Sequence, residues 1–220
     1  MEIPVWAPSI TKKEKDAILE AMDIGYLGMG KNVFDFEEAV ASDLGVNKEN
    51  IVSTHTGQSA LHTIFETFLE DGNNISLVIS PSMNNVADFH AVVNSNLDLY
   101  FVDCDENKGT INVESIPHEI LEKAQAIIIL DYASSFVDIS EISKLCSKFG
   151  LFLIYDAAHS FGSIDFERLK FADAVMFSFD PIKTFTAIDG GIIYWRDIKK
   201  ARISREIRHM GMGQDLSALK

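Results

Sequence analysis

Positive charge is in short supply: 19 lysines and arginines stand against 33 aspartates and glutamates, a net charge of -14 over 220 residues. No basic run interrupts that acidity, which argues against a nucleic-acid partner. A small anion could still bind through backbone amides and one or two local cations. Cysteine is nearly absent. Cys104 and Cys146 lie far apart with no metal-ligand spacing, so both read as reduced, ordinary residues of a cytoplasmic protein. No stretch approaches membrane-span length, and the opening MEIPVWAPSITKKEK lacks the apolar core of a signal peptide. There is no proline-rich linker, repeat or low-complexity tract to divide the chain. With 47% hydrophobic residues, the expectation is one main domain with a sizeable core.

What is present is rhythm. Thr11 and Glu14 form a capping-box pattern before Ala17, Ile18, Ala21 and Met22 at helical spacing, and Gly25 stops that helix. A loop with Gly28 and Gly30 leads into a second amphipathic helix through Val33, Phe36 and Val40, ending near Gly45. Short apolar runs then alternate with helical segments. The runs are Ile51–Ser53, Leu77–Ser80, Leu99–Val102, Ala126–Leu130, Leu151–Tyr155, Ala174–Phe179 and Gly191–Trp195. Between them fall a helix after Gly57, one through Phe89 and one over Ile139–Phe149. Continuous apolar strands separated by helices predict an α/β fold: a mostly parallel central sheet sandwiched by helices.

In such sheets ligands collect beyond the carboxyl ends of the strands, and three ends carry suggestive chemistry. In LFLIYDAAHSFGS an apolar strand runs straight into Asp156, which is either a helix cap or a carboxylate facing a ligand; His159 follows three residues later. In ADAVMFSFDPIKTFTAIDGG the strand ends near Ser178 and Lys183 comes five residues on, among Phe179, Ile182 and Phe185. Lys183 is either a surface lysine with a snorkelling stem or an amine desolvated for nucleophilic use. Pro181 and the Gly190-Gly191 pair mark a tight, shaped loop and favour the second. After Ile51–Ser53, the segment HTGQSALHTIF places Thr56, Gly57, Gln58 and Ser59 at a helix start, which is an ordinary cap or a phosphate seat. Together, a phosphate cup, an acid and a lysine on three strand ends are what pyridoxal 5'-phosphate (PLP) requires.

At these residues the chain resembles the DegT/StrS-type PLP-dependent sugar aminotransferases of aminotransferase fold type I. The likeness is carried in order by VWAPSI, GYLGMGKNVFDFEEAVA, THTGQSALH, DAAHSFGS, FSFDPIKTFTAIDGG and REIRHMGMG, over essentially the whole chain. It implies that Asp156 pairs with the pyridine nitrogen, Lys183 is the Schiff-base lysine, His159 lies near the phenolic oxygen and Ser178 binds phosphate. Gly57 and Gln58 would supply cup amides. It also implies a homodimer that moves an amino group, usually from glutamate, to a nucleotide-linked keto-sugar in amino-sugar biosynthesis.

Three positions depart from the family pattern. Gln58 replaces a threonine in the cup, Asn85 falls where an aromatic ring stacks on the cofactor, and Thr184 follows the lysine in place of asparagine. Lys220 falls about where the family's large domain gives way to its C-terminal domain. The resemblance therefore implies that residues 1–220 are the PLP-binding large domain, with a short N-terminal helical segment (about 1–25) and without the family's C-terminal domain. The departures keep a second reading alive, a catalytically impaired or non-catalytic homologue that retains the fold. Lys183 separates the chain from PLP dehydratases of the family, which lack that lysine. A nucleotide-binding doubly wound domain is a poor alternative, because no G-x-G-x-x-G follows the first strand.

Overall fold

The computed structural model describes residues 7–25, 27–133 and 135–211. Val5, Trp6, Tyr26, Met212 and Gly213, which belong to the resembling segments, lie outside them. In chain order the elements are α1 (Lys12–Ile24), α2 (Lys31–Leu44), β1 (Ile51–Thr54), α3 (Gly57–Glu70) and β2 (Leu77–Pro81). Then come α4 (Val86–Asn94), β3 (Asp98–Val102), α5 (His118–Lys123), β4 (Ala126–Leu130) and α6 (Ile139–Phe149). The last are β5 (Phe152–Asp156), α7 (Phe166–Leu169), β6 (Ala174–Ser178), β7 (Gly191–Trp195) and α8 (Ile198–Arg208).

Seven strands form one sheet in the order β1-β7-β6-β5-β4-β2-β3. Only β7 runs against its neighbours, and the pairs β6–β5, β5–β4, β4–β2 and β2–β3 are parallel. Since β1 and β6 are both antiparallel to β7, they point the same way. The carboxyl ends of β1, β5 and β6 therefore open on one edge of the sheet, which is the geometric condition for cup, acid and lysine to meet.

The apolar runs are continuous because both faces of the sheet are covered. Ile127, Ile129, Leu153, Tyr155, Val175 and Phe177 point to one side, against Val40 and Leu44 of α2 and Ile139, Ile142 and Cys146 of α6. Their alternating neighbours Ala126, Ile128, Ile154, Ala174 and Met176 face Leu61, Ile64, Phe65 and Phe68 of α3 and Ala91 and Val92 of α4. Each such aliphatic side chain, fully buried, contributes about 1.5–3 kcal/mol.

The expected starts and stops agree with the structure to within a residue. Thr11 makes both halves of its capping box with Glu14, and Gly25, Gly45 and Gly150 close α1, α2 and α6 in the left-handed conformation. Two boundaries shift: Asp156 is the last residue of β5 rather than the first after it, and Phe179 lies just past β6. Helix α1 differs in kind from the other long helices. None of its residues is buried, and its apolar stripe, with Ile18, Leu19, Met22 and Ile24, is exposed.

Candidate active site

A cleft of about 420 Å³ opens at the shared strand edge. Gly57, Gln58, Asn85, Asp156, His159, Ser178 and Lys183 all line it, so the structure brings together every site residue the sequence singled out.

The β1–α3 turn supplies the first wall. Thr56 caps α3 by accepting from the Ser59 N–H at 2.9 Å, and Ala60 N–H bonds the Thr56 carbonyl. Among the described residues the Gly57 and Gln58 amides of the first helical turn have no acceptor, and they lie at the positive end of the helix dipole. Gly57 is there for space: a Cβ would lie 2.9 Å from Ser178 Cβ and 3.1 Å from its Oγ, closing the seat on β6. Gly191, at the start of β7, fits tightly beneath the same turn, where a Cβ would overlap the Thr56 carbonyl.

Asp156 is not a helix cap: it ends β5, turns follow it, and it lines the cleft. Its Oδ1 accepts the Ala158 N–H at 2.8 Å, and the carboxyl also faces the cleft while only 2% of the residue is exposed. Burial pushes its pKa up; the Ala158 amide and the nearby Lys183 charge pull the other way. The lysine's surroundings are more open than the sequence suggests. Phe179 is buried, but Ile182 and Phe185 are 55% and 53% exposed, and Lys183 itself is half-buried. Its ammonium has no hydrogen-bond or ion-pair partner among the described residues, although it lies within electrostatic reach of Asp156, Asp88 and His159.

His159 takes a long hydrogen bond on Nδ1 from the Ala133 amide (3.4 Å), which places its proton on Nε2. Burial, then the Lys183 charge, depresses its pKa, so the ring is neutral near pH 7. Asn85 lines the cleft but is committed to local structure: it is the N-cap of α4, its Oδ1 accepting from Ala87 N–H at 2.9 Å. Cys146 takes no part. It is buried on the inner face of α6 with its thiol pushed up to about 12 by burial, so it is not a nucleophile.

The sequence reading missed Asp88. It also lines the cleft, is fully buried, and meets Asp156 carboxyl to carboxyl. Among the described residues neither Asp88 oxygen has a well-formed hydrogen bond, and the adjacent Asn84 side chain supports its charge least of the groups around it. Asn84, beside it, likewise keeps a buried Nδ2 without a partner. The local signal for Asp88 was ambiguous, because an acid three residues after an Asn N-cap is what any helix start prefers.

Comparison with known proteins gives this geometry relatives. The chain is 31% identical over 208 residues to the UDP-4-amino-4,6-dideoxy-N-acetyl-beta-L-altrosamine transaminase of Helicobacter pylori, covering 93% of this chain and 54% of that protein. It is 30% identical over 215 residues to GDP-perosamine synthase of Escherichia coli O157:H7, covering 96% of this chain and 57% of the relative. The solved structure of Helicobacter pylori PseC, an aminotransferase involved in the biosynthesis of pseudoaminic acid, superposes with a TM-score of 0.87 at 29% identity, over 98% of this chain and 58% of that one. DesI, solved in the presence of its TDP-sugar product, superposes with a TM-score of 0.84 at 25% identity, over 98% of this chain and 54% of DesI. The chain thus spans about half the length of the relatives it matches. The DegT/DnrJ/EryC1/StrS aminotransferase family matches residues 8–218, nearly the whole sequence, and the protein belongs to that family.

Proposed function

We propose that the cleft binds PLP and that the protein transfers an amino group, from an amino acid such as glutamate, to the keto carbon of a nucleotide-linked sugar. The observation that carries this is the pairing, among the described residues, of a half-buried amine without a hydrogen-bond or ion-pair partner, Lys183, with a buried carboxylate, Asp156, in one cleft with unpaired amides of α3. The residues fit the cofactor. A phosphate matches the Gly57 and Gln58 amides and the Ser178 hydroxyl, and only glycine at position 57 leaves that seat open. Asp156 would accept the proton of the ring nitrogen, and the neutral His159 would offer Nε2–H to the phenolic oxygen.

When bound, the cofactor supplies an aldehyde for amine exchange and a ring that withdraws electrons from the substrate Cα. Asp156 would keep that ring protonated. Lys183 is the amine that would hold the cofactor, and it would serve as base and acid for the proton at the substrate Cα. Asn85 borders the ring site without giving it an aromatic face, its Oδ1 held by the helix cap. That one position favours a second reading, PLP binding without turnover.

The exposed apolar stripe of α1 and the neighbouring Leu27, 71% exposed, support the homodimer as the working form. No described helix is long and apolar enough to cross a membrane, and the net charge of -14 opposes a nucleic-acid partner. A cytoplasmic setting, with small-molecule substrates alone, agrees with both.

The test is spectroscopic. Added PLP is expected to give near-visible absorbance that borohydride fixes covalently on Lys183, and Lys183→Ala is expected to lose both. A covalent adduct surviving in that variant sinks the assignment. Single-turnover conversion of the bound cofactor by glutamate separates the two readings: its absence in a protein that forms the Lys183 adduct selects binding without transfer.

A further inference from the structure

Asp88 has no place in the function just described, yet it is the most anomalous group in the cleft. It sits at the third position of α4, capped by Asn85. The helix packs beside α3 over the face of the sheet to which Ile154, and two residues later Asp156, point. Asp88 is thereby driven against Asp156, with 0% and 2% of the two residues exposed.

The two acids differ in what supports them. Asp156 Oδ1 has the Ala158 N–H at 2.8 Å, whereas neither oxygen of Asp88 has a well-formed hydrogen bond among the described residues, and the nearby Asn84 side chain is the smallest influence on its charge. Two buried carboxylates in contact cannot both ionise at modest cost. A proton between them belongs on the acid whose charged form has less support.

We propose that Asp88 is a positioning residue: it holds a proton and donates it to Asp156, so that the pair carries one negative charge and Asp156 presents its carboxylate to the cleft in a fixed orientation. That Asp156 then receives the ring nitrogen of PLP rests on the function proposed above; the shared proton does not. The electrostatics agree. Asp88 is pushed well above the usual carboxylate range, first by burial and then by the Asp156 charge. Asp156 is raised by burial but lowered by the hydrogen bond from Asp88, as an acceptor should be. Lys183, from the loop after β6, is the other charged group facing Asp88 and favours its ionisation, while α3 contributes no titratable side chain to this cleft. An acid pair with one proton also suits a ligand bearing one N–H here better than a pair of charges would, because a single acceptor oxygen is directed at a single donor.

The decisive measurement is infrared spectroscopy of the full chain without cofactor. At pH 7 the protein should show the carbonyl band of a buried carboxylic acid, and Asp88→Asn should remove it. In Asp156→Asn the band should remain but titrate at lower pH, since the like charge that holds the proton on Asp88 is gone. A purely structural Asp88 would show no such shift. Absence of the band at pH 7, or its loss in Asp156→Asn with retention in Asp88→Asn, overturns the proposal whether or not PLP binds.

The cofactor side is read by PLP titration of two further variants. Asp88→Asn keeps a donor and should bind within about twofold of the parent, while Asp88→Leu loses it and should bind about tenfold more weakly. Equal affinity for Asp88→Leu and Asp88→Asn overturns the positioning role. A parent that shows the band but binds no PLP supports the shared proton and sinks the cofactor reading instead.

Discussion

Tyr155 and Asp156 are consecutive on β5, point to opposite faces of the sheet, and serve two buried acids with opposite fates. On the Tyr155 side lies Asp131, completely buried and completely served. Arg168 Nη2 donates to it at 2.8 Å, the Val137 amide at 3.0 Å and Ser160 Oγ at 3.3 Å, and the Tyr155 hydroxyl adds a short bond. Arg168 closes the circuit by donating to the Tyr155 hydroxyl at 2.9 Å and the Val137 carbonyl at 3.0 Å. Burial, then the Asp131 charge, keeps the Tyr155 phenol protonated and a donor. On the Asp156 side Asp88 is just as buried, is set against another acid, and has no well-formed hydrogen bond among the described residues. One family of interactions fixes the chain between β4 and β5; the other leaves capacity unspent in a cleft. Burial alone therefore does not distinguish the two acids, whereas the completeness of hydrogen bonding does.

The sharpest way to break this contrast is to remove the partner that makes Asp131 tolerable. Arg168→Ala should destabilise the protein by about 3–5 kcal/mol, the cost of leaving a buried carboxylate without its cation. Guanidinium denaturation measures it. Below its unfolding transition the variant should still form the Lys183 adduct with PLP, because Arg168 lines no part of that cleft. A loss under 1 kcal/mol would mean that Tyr155, Ser160 and the Val137 amide suffice for Asp131.

The Asp88 side should respond in the opposite direction, and its sign follows from linkage. A carboxyl whose folded pKa is raised stabilises the fold most fully below its unfolded value, and that contribution is lost as pH rises towards the folded pKa. The folded state holds a proton that the unfolded chain releases near pH 3.9, so the parent loses up to about 1.4 kcal/mol per pH unit above that value. Asp88→Asn has no such proton to hold. Relative to the parent it should gain up to about 3 kcal/mol between pH 5 and pH 7. Urea denaturation of both proteins at the two pH values decides it, and a pH-independent difference would place Asp88 in its ionised form throughout.

Much of this was legible in sequence because it is local. Apolar run length, Gly25, Gly45 and Gly150 as stops, and the Thr11–Glu14 box depend on neighbours within a turn. Asp156 and Lys183 could be placed at one cleft because strand ends in a parallel sheet converge by topology, whatever the details. Asp88 was hidden by a local explanation that is also true: Asn85 caps α4, and an acid in the first turn suits the helix dipole. Its burial depends on how α4 seats beside α3 against β5, a relation between segments far apart in the chain. The expected apolar shell around Lys183 failed for the converse reason. Ile182 and Phe185 are apolar by type, but the loop that carries them faces outward.

That loop supplies the smallest effect and the last test of the contrast. Ile188 sits at φ 76°, in the left-handed region, where a β-branched side chain crowds the backbone. The conformation is held from both sides. The Ile188 amide donates to Thr186 Oγ1 at 2.9 Å, Thr186 Oγ1 donates to the Phe179 carbonyl at 3.0 Å, and the Ala187 amide bonds the same carbonyl at 3.1 Å. Asp189, the next residue, lines the cleft. Ala133, at φ 47°, adjoins Tyr132 on the cleft wall and donates its amide to His159, so strain gathers at the rim of the site. Glycine at 188 adopts the same φ freely but also gains freedom in the unfolded chain, and the two terms oppose. For a β-branched residue the strain term is the larger, and with 54% of Ile188 exposed little packing is lost. Ile188→Gly is therefore expected to stabilise the fold by about 0.5–1 kcal/mol in thermal or urea unfolding. Ile188→Asn, which tolerates the left-handed region without the entropy cost of glycine, should match or exceed it. Destabilisation by both variants would show that the Ile188 side chain makes a contact worth more than its strain.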